Sequence, residues 1–141
     1  MSYRFLEHEA DMGIRAEGRS WEEVFTEGAK AVFDLMIELK EFKPKKEVKI
    51  KCQAPDIGSL FVEWLNELIY QKDVTGIYFI KFEIDSIKQK NQNYQLTGKA
   101  WGEKLDPDKH TLETEVKAAT YGGLECKEEK GKYYCQCVVD V

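Results

Sequence analysis

The feature that most limits the fold of this chain is a helical pattern in its middle, with strand patterns on both sides. Asp56, after Pro55, is a residue type that caps the N-terminus of a helix. Apolar residues then recur at three- and four-residue steps, and they are Ile57, Leu60, Phe61, Trp64, Leu65, Leu68 and Ile69. This spacing predicts one amphipathic helix that ends at Thr75-Gly76. Its other face, with Glu63, Asn66, Glu67 and Gln71, is typical of a solvated surface, with a contact to a partner as the alternative.

Another helix is predicted earlier in the chain. Ser20 and Glu23 have the spacing of a capping box, in which a hydroxyl and a carboxylate bond to free backbone N–H groups at a helix start. Apolar residues continue at helical spacing to about Leu39. The charged segment 40–46 contains Pro44 and is predicted to be a loop.

Most of the remaining chain alternates apolar and polar residues, as half-buried strands do. The predicted strands cover residues 13–18, 48–52, 78–85, 94–102, 115–121 and 133–141. In the 78–85 segment the apolar row is Tyr78, Ile80, Phe82 and Ile84. The element order predicts an α+β fold with two helices packed on one face of a largely antiparallel or mixed β-sheet. A length of 141 residues fits a single domain spanning 1–141.

Composition and charge exclude several classes of protein. No apolar run approaches the roughly 20 residues that span a bilayer, and the N-terminal residues do not have the pattern of a signal peptide. We therefore expect a cytoplasmic protein that does not bind a membrane. The net charge of −5 argues against direct, stable binding to nucleic acid, which depends on Lys and Arg contacts to phosphates.

The cysteines are expected to be thiols, because the cytoplasm is reducing. They are Cys52, Cys126, Cys135 and Cys137. A hairpin turn at Lys130-Gly131 would place Cys126 and Cys135 opposite each other. Packed thiols are favoured over a zinc site because the sequence has no C-x-x-C pair.

The densest polar cluster is His8-Glu9-Ala10-Asp11, on a link between two predicted strand pieces. No nucleophile motif flanks either histidine and no P-loop is present, so the sequence does not predict an enzyme. At the other end of the chain stand Asp140 and the carboxylate of Val141. Clustered carboxylates suit hard cations such as calcium or magnesium, although an aspartate that caps a turn is the simpler interpretation.

Four segments in order resemble the archease family. They are His8-x-x-Asp11, the helix segment 61–70, the strand 115–121 and the ending 138–141, and together they span nearly the whole chain. The resemblance implies a small α+β protein that is not an enzyme. In that family it assists the GTP-dependent RNA ligase of tRNA splicing, promoting guanylation of the ligase and multiple turnover.

The resemblance also implies a metal site made by Asp11, Asp140 and the carboxylate of Val141. The expected cofactor is a divalent cation, with calcium favoured and magnesium or manganese as alternatives, and His8 would orient Asp11. This chain departs from the family pattern at two positions. Glu9 stands where the family usually has threonine, and Gly122 where it usually has histidine, so any function of that imidazole is in doubt here.

Two other functions remain open at this point. The family has also been assigned a role as a chaperone or modulator of another tRNA-processing enzyme, such as a tRNA methyltransferase. A metal-dependent hydrolase is the least supported, because the sequence offers no evident general base.

Overall fold

The computed structural model describes residues 1–7 and 11–141, and for Glu7 and Asp11 it describes the backbone alone. The elements in chain order are β1 (Ser2–Glu7), β2 (Asp11–Gly18), α1 (Trp21–Met36), β3 (Lys46–Ala54), α2 (Ile57–Thr75), β4 (Ile77–Lys90), β5 (Asn93–Lys104), β6 (Ala118–Ala119), β7 (Glu125–Glu129) and β8 (Lys132–Asp140). A short 3₁₀ helix, Leu39–Glu41, follows α1. The predicted α+β class is confirmed.

The strands form two antiparallel sheets rather than one. In the first, the order is β1-β2-β8-β6, and β7 pairs with another stretch of β8. In the second, the order is β3-β5-β4. Helix α1 contacts β2 and β4, which belong to different sheets, while α2 packs mainly on β3. Alternation identifies a strand but not its partner, which is why the division into two sheets was not predicted.

The helix starts are those that the sequence predicts. Ser20 Oγ accepts a hydrogen bond from Glu23 N at 3.1 Å, and Asp56 Oδ1 accepts one from Ser59 N at 2.7 Å. Helix α2 ends at Gly76, whose φ of 75° is a conformation that suits glycine. Helix α1 ends at Met36, earlier than predicted, because Ile37 is extended and forms a β-bridge with Leu112.

The core lies between the helices and both sheets. Gly28 of α1 allows the Phe61 ring of α2 to approach closely, since a Cβ there would lie 2.5 Å from that ring. The fully buried Trp64 donates its indole N–H to Phe25 O at 2.9 Å. Complete burial of a large apolar side chain stabilises the fold by roughly 1.5–3 kcal/mol. These contacts make α1 and α2 one packed layer.

The predicted apolar row of β4 is only partly correct. Phe79 and Phe82 are buried, whereas Tyr78 and Ile80 are half-buried. The phase changes because the register against β5 shifts between Phe79 and Lys81, and again between Ile84 and Ser86. A bulge inserts one extra residue into one strand, so a strict two-residue pattern misses it.

Glycines on β5 accommodate these two bulges. A Cβ at Gly102 would overlap Tyr78 O, and a Cβ at Gly98 would lie 2.6 Å from Glu83 O. The absence of a side chain at these two positions permits the close approach of the β4 backbone.

Two further predictions need correction. The strand expected over 115–121 is paired as a strand only at Ala118–Ala119. Cys126 and Cys135 are cross-strand partners, as predicted, but they form a disulfide instead of two thiols, with Cα atoms 4.1 Å apart. Register alone brings the two sulfur atoms together there. Cys52 and Cys137 are free.

Within the described residues, no helix has both the length and the apolar character needed to cross a membrane.

Candidate functional site

A residue from the first part of the chain and one from the last part are paired in the first sheet. Asp11 is the first residue of β2 and Asp140 the last residue of β8, and the two are direct partners in the antiparallel register. On the other side of β8, Ala118 pairs with Asp140, and Lys117 N donates to Asp140 O at 2.8 Å. The backbone of Asp140 is therefore held from both sides.

The side chains at the end of β8 alternate between core and solvent. Val139 is fully buried, Asp140 is exposed, and Val141 is half-buried against the core. Packing of the Val141 side chain fixes the position of the residue whose carboxylate was predicted as a ligand.

The proposed ligand set is only partly within the described residues. His8 and Glu9 lie outside them, as does the side chain of Asp11. Across the side chains that are described, no group of three or more His, Cys, Asp or Glu is arranged to hold a metal ion. The set of Asp11, Asp140 and Val141 stays a prediction.

The chemistry of the donors is suited to a hard cation. Asp11 and Asp140 are directly opposite in the antiparallel register of the backbone. Carboxylate oxygens favour calcium or magnesium over zinc.

Asn66 on α2 fastens the neighbouring strand. Its Nδ2 donates to Ala119 O at 3.0 Å, and its Oδ1 accepts from Ala119 N at 2.8 Å. The amide thus pairs with β6 as another strand would, and β6 in turn pairs with the end of β8. Sequence reasoning placed Asn66 on a solvated face. The only signal was that an amide carries both a donor and an acceptor.

The segment after β6 is hydrogen-bonded to both β8 and α2. Thr120 Oγ1 donates to Val138 O at 2.8 Å, and Tyr121 OH donates to Glu63 Oε1 at 3.0 Å. Gly122 O accepts from Val138 N at 3.1 Å. A Cβ at Gly122 would come no nearer than 3.4 Å to Thr120 Oγ1, so local packing does not require glycine here.

His110 lies in a different part of the molecule and supports the fold. Its ring stacks on Phe42 with centroids 3.7 Å apart, and its Nδ1 accepts from Asp106 N at 2.9 Å. Nε2 then carries the proton and donates to Glu103 Oε1 at 3.1 Å. Burial acts to raise the pKa of Glu103, but hydrogen bonds from Lys43 N and His110, with the charge of Lys45, hold it below its usual value.

Comparisons with known proteins agree with this architecture. The sequence model of the Archease protein family (MTH1598/TM1083) matches residues 3–141. Protein archease of Sulfurisphaera tokodaii is 41% identical over 140 residues, covering 99% of this chain and 98% of the relative. Protein archease of Methanosarcina mazei is 38% identical over 139 residues, covering 99% and 95%.

Solved structures agree as well. The solution structure of protein 1598 from Methanobacterium thermoautotrophicum has a TM-score of 0.83 and 29% identity, covering 99% of this chain and 98% of that one. The crystal structure of an archease from Thermotoga maritima, described as a possible chaperone, has a TM-score of 0.59 and 21% identity, covering 96% and 94%, and supports the fold alone. On the family match and the curated relatives, this chain belongs to the archease family.

Proposed function

We propose that this chain is a non-catalytic activator of the GTP-dependent RNA ligase in tRNA splicing. It promotes guanylation of the ligase and its multiple turnover. The match to the archease family over residues 3–141 carries the proposal. Because the role is that of an accessory protein, the relevant surface is one that contacts the ligase.

A divalent cation completes that surface in the proposal. Asp11, Asp140 and the Val141 carboxylate bind it, with calcium favoured over magnesium or manganese. The register that pairs Asp11 with Asp140 supports this part, since it joins residues from the two ends of the chain. When bound, the cation offsets the repulsion between the carboxylates and gives the acidic end of β8 a positive centre that can contact anionic groups.

Ligation with purified components tests the activity. Reactions contain the ligase, GTP, manganese and a cleaved tRNA, with or without this protein. The tRNA is present either in excess over the ligase or not in excess. We expect the protein to raise the yield most where each ligase must turn over more than once. Equal yields with and without the protein under excess tRNA would contradict the proposal.

Variants separate the cation site from the rest of the protein. Asp140→Asn removes one carboxylate but keeps the size of the side chain, so it should reduce the stimulation at least tenfold. Asp108→Asn makes the same change on an exposed turn after β5 and serves as the matched control. A full effect of the protein with Asp140→Asn would separate the activity from the proposed site.

A chaperone or modulator of another tRNA-processing enzyme, such as a tRNA methyltransferase, is the second candidate. The description of the Thermotoga maritima relative as a possible chaperone favours it. Co-purification distinguishes the two functions, because they require different partners. Retention of a methyltransferase without the ligase would favour the second.

A further inference from the structure

An open pocket lies at the opposite end of the first sheet from the candidate metal site. It has a volume of about 520 Å³ and lies between the start of β1, the end of β2 and the β7–β8 turn. Pockets that bind small organic molecules commonly have volumes of roughly 300–1,000 Å³. Lys132 and Asp140 are the two ends of β8, about 26 Å apart for an extended strand, so the pocket is separate from the metal site.

Basic side chains from two of these segments line this pocket. They are Arg15, Arg19, Lys130 and Lys132. Two carboxylates also line it, but Glu17 Oε1 is bound to Arg15 Nε at 3.0 Å and Glu129 is the cross-strand partner of Lys132. In a chain with a net charge of −5, this is a local excess of positive charge.

Arg15 is held in a fixed position before any ligand arrives. Its Nη1 donates to Gln136 Oε1 at 2.9 Å, and its Cζ lies 3.8 Å from the centroid of the Tyr134 ring. These contacts and the bond to Glu17 do not use Nη2. The side chain is 22% exposed and lines the pocket, and its contacts leave it little conformational entropy to lose on binding.

The turn that presents the two lysines is also fixed. Lys130 has a φ of 53° and Gly131 a φ of 78°, as in the tight hairpin turns that require two left-handed residues. Next to the turn, Tyr133 packs edge-on against Trp21 with centroids 4.9 Å apart. The pocket therefore combines one positioned cation, Arg15, and three exposed basic side chains with apolar surface.

We propose that this pocket binds the phosphate of an organic phosphate monoester, such as a mononucleotide or the 5′-phosphate end of an RNA. Arginine presents a planar set of donors that matches phosphate oxygens, and several cations together suit a dianion better than a carboxylate. Tyr134, which lies on the same face of the sheet as Arg15, contributes apolar surface for the organic part. The proposal depends on neither the metal site nor the ligase.

Calorimetric titration at low salt tests phosphate binding. AMP is the ligand, and adenosine is the matched control that has no phosphate. We expect AMP to bind and adenosine to bind at least tenfold more weakly, with AMP affinity falling as salt rises. To distinguish the source of the phosphate, the 5′-phosphorylated and 5′-hydroxyl forms of one RNA trinucleotide are compared. Tighter binding of AMP than of adenosine, or of the 5′-phosphorylated than of the 5′-hydroxyl trinucleotide, supports the proposal. If the phosphate changes the affinity in neither comparison, the proposal is overturned.

Variants assign the binding to these residues. Arg19→Ala changes an exposed side chain and should weaken the phosphate ligand at least tenfold while the fold is kept. Arg15→Lys keeps the charge but loses the planar donors, and should also weaken it. Lys49→Ala, on the exposed face of the second sheet, is the control. Binding that falls equally in all three variants, or in none, contradicts the proposed pocket.

Discussion

Burial controls the chemistry of the two free cysteines. It raises the pKa of Cys137 to about 12, and burial together with the charges of Glu63 and Glu67 raises the pKa of Cys52 to about 12. At pH 8 only about one such thiol in ten thousand is a thiolate, the form that reacts with iodoacetamide.

Alkylation counted by mass spectrometry therefore has a definite expected outcome. The native protein should take no label at pH 8. After unfolding without a reductant two cysteines should be labelled, and after reduction all four, because Cys126 and Cys135 are joined. Labelling of four cysteines without reductant would show that the disulfide is absent, and rapid labelling of native Cys137 would contradict its burial.

Glu103 makes the stability of the fold depend on acid pH. Its pKa is lower in the folded protein than its ordinary value of 4.5, so the ionised carboxylate favours the folded state. This contribution is complete above pH 4.5 and is lost as the pH falls through the folded-state pKa. Urea unfolding between pH 3 and 7 should show this loss in the wild type and a smaller one in Glu103→Gln. Parallel pH profiles for the two proteins would contradict it.

Whole elements differ in how far sequence predicts them. The starts of α1 and α2 were predicted because Ser20 and Asp56 bond to N–H groups only three residues away. The phase of β4 was wrong because its bulges depend on the partner strand β5. The disulfide was missed because thiols were inferred from the expected compartment, although the register of Cys126 and Cys135 was predicted.

The candidate site was likewise only partly predicted from the sequence. Asp11 and Asp140 were noted as carboxylates in the sequence, but only the family resemblance joined them in one site, because no local rule predicts that residues so far apart are partners in a sheet. The contribution of Asn66 was missed because it arises from a strand far along the chain. What depends on neighbours in sequence, including the register of a hairpin, is predictable, and what depends on pairing between distant strands is not.

The close approach of α1 and α2 gives a prediction at the scale of elements. Gly28→Ala puts a methyl group 2.5 Å from the ring of Phe61, so the helices must separate or the ring must shift. We expect a loss of about 1–3 kcal/mol in the free energy of unfolding, measured with urea. Phe61→Leu in the same chain should make the added cost of Gly28→Ala smaller. Simple additivity of the two changes would argue against this contact as the cause.

The amide of Asn66 joins α2 to β6 by two hydrogen bonds. Asn66→Ala removes two hydrogen bonds to Ala119 and should cost about 1–2 kcal/mol of stability. Amide hydrogen exchange should rise at Ala119, whose N–H loses its acceptor. Gln71→Ala is the matched control, because the Gln71 amide donates to Glu67 on the same helix. Unchanged exchange at Ala119 in Asn66→Ala would show that the strand is held by other contacts.

On the scale of the whole molecule, β8 connects both proposed sites and most of the first sheet. It pairs with β2 along its length and with β7 and β6 on its other side. Binding at either end of this strand stabilises the folded chain, because the unfolded chain does not bring the binding residues together. Stability therefore reports cation binding independently of any ligase.

Calcium should raise the melting temperature through this linkage. At a concentration a hundred times the dissociation constant, binding adds about 2.7 kcal/mol, which corresponds to about 5–10 °C for a chain of this size. EDTA should reverse the rise, and sodium chloride at equal ionic strength should not reproduce it. Asp140→Asn should remove most of it, while Asp108→Asn should keep it. An equal rise in both variants would mean that calcium stabilises the protein elsewhere, since Asp140 is the side-chain carboxylate at the end of β8 that the proposed site requires.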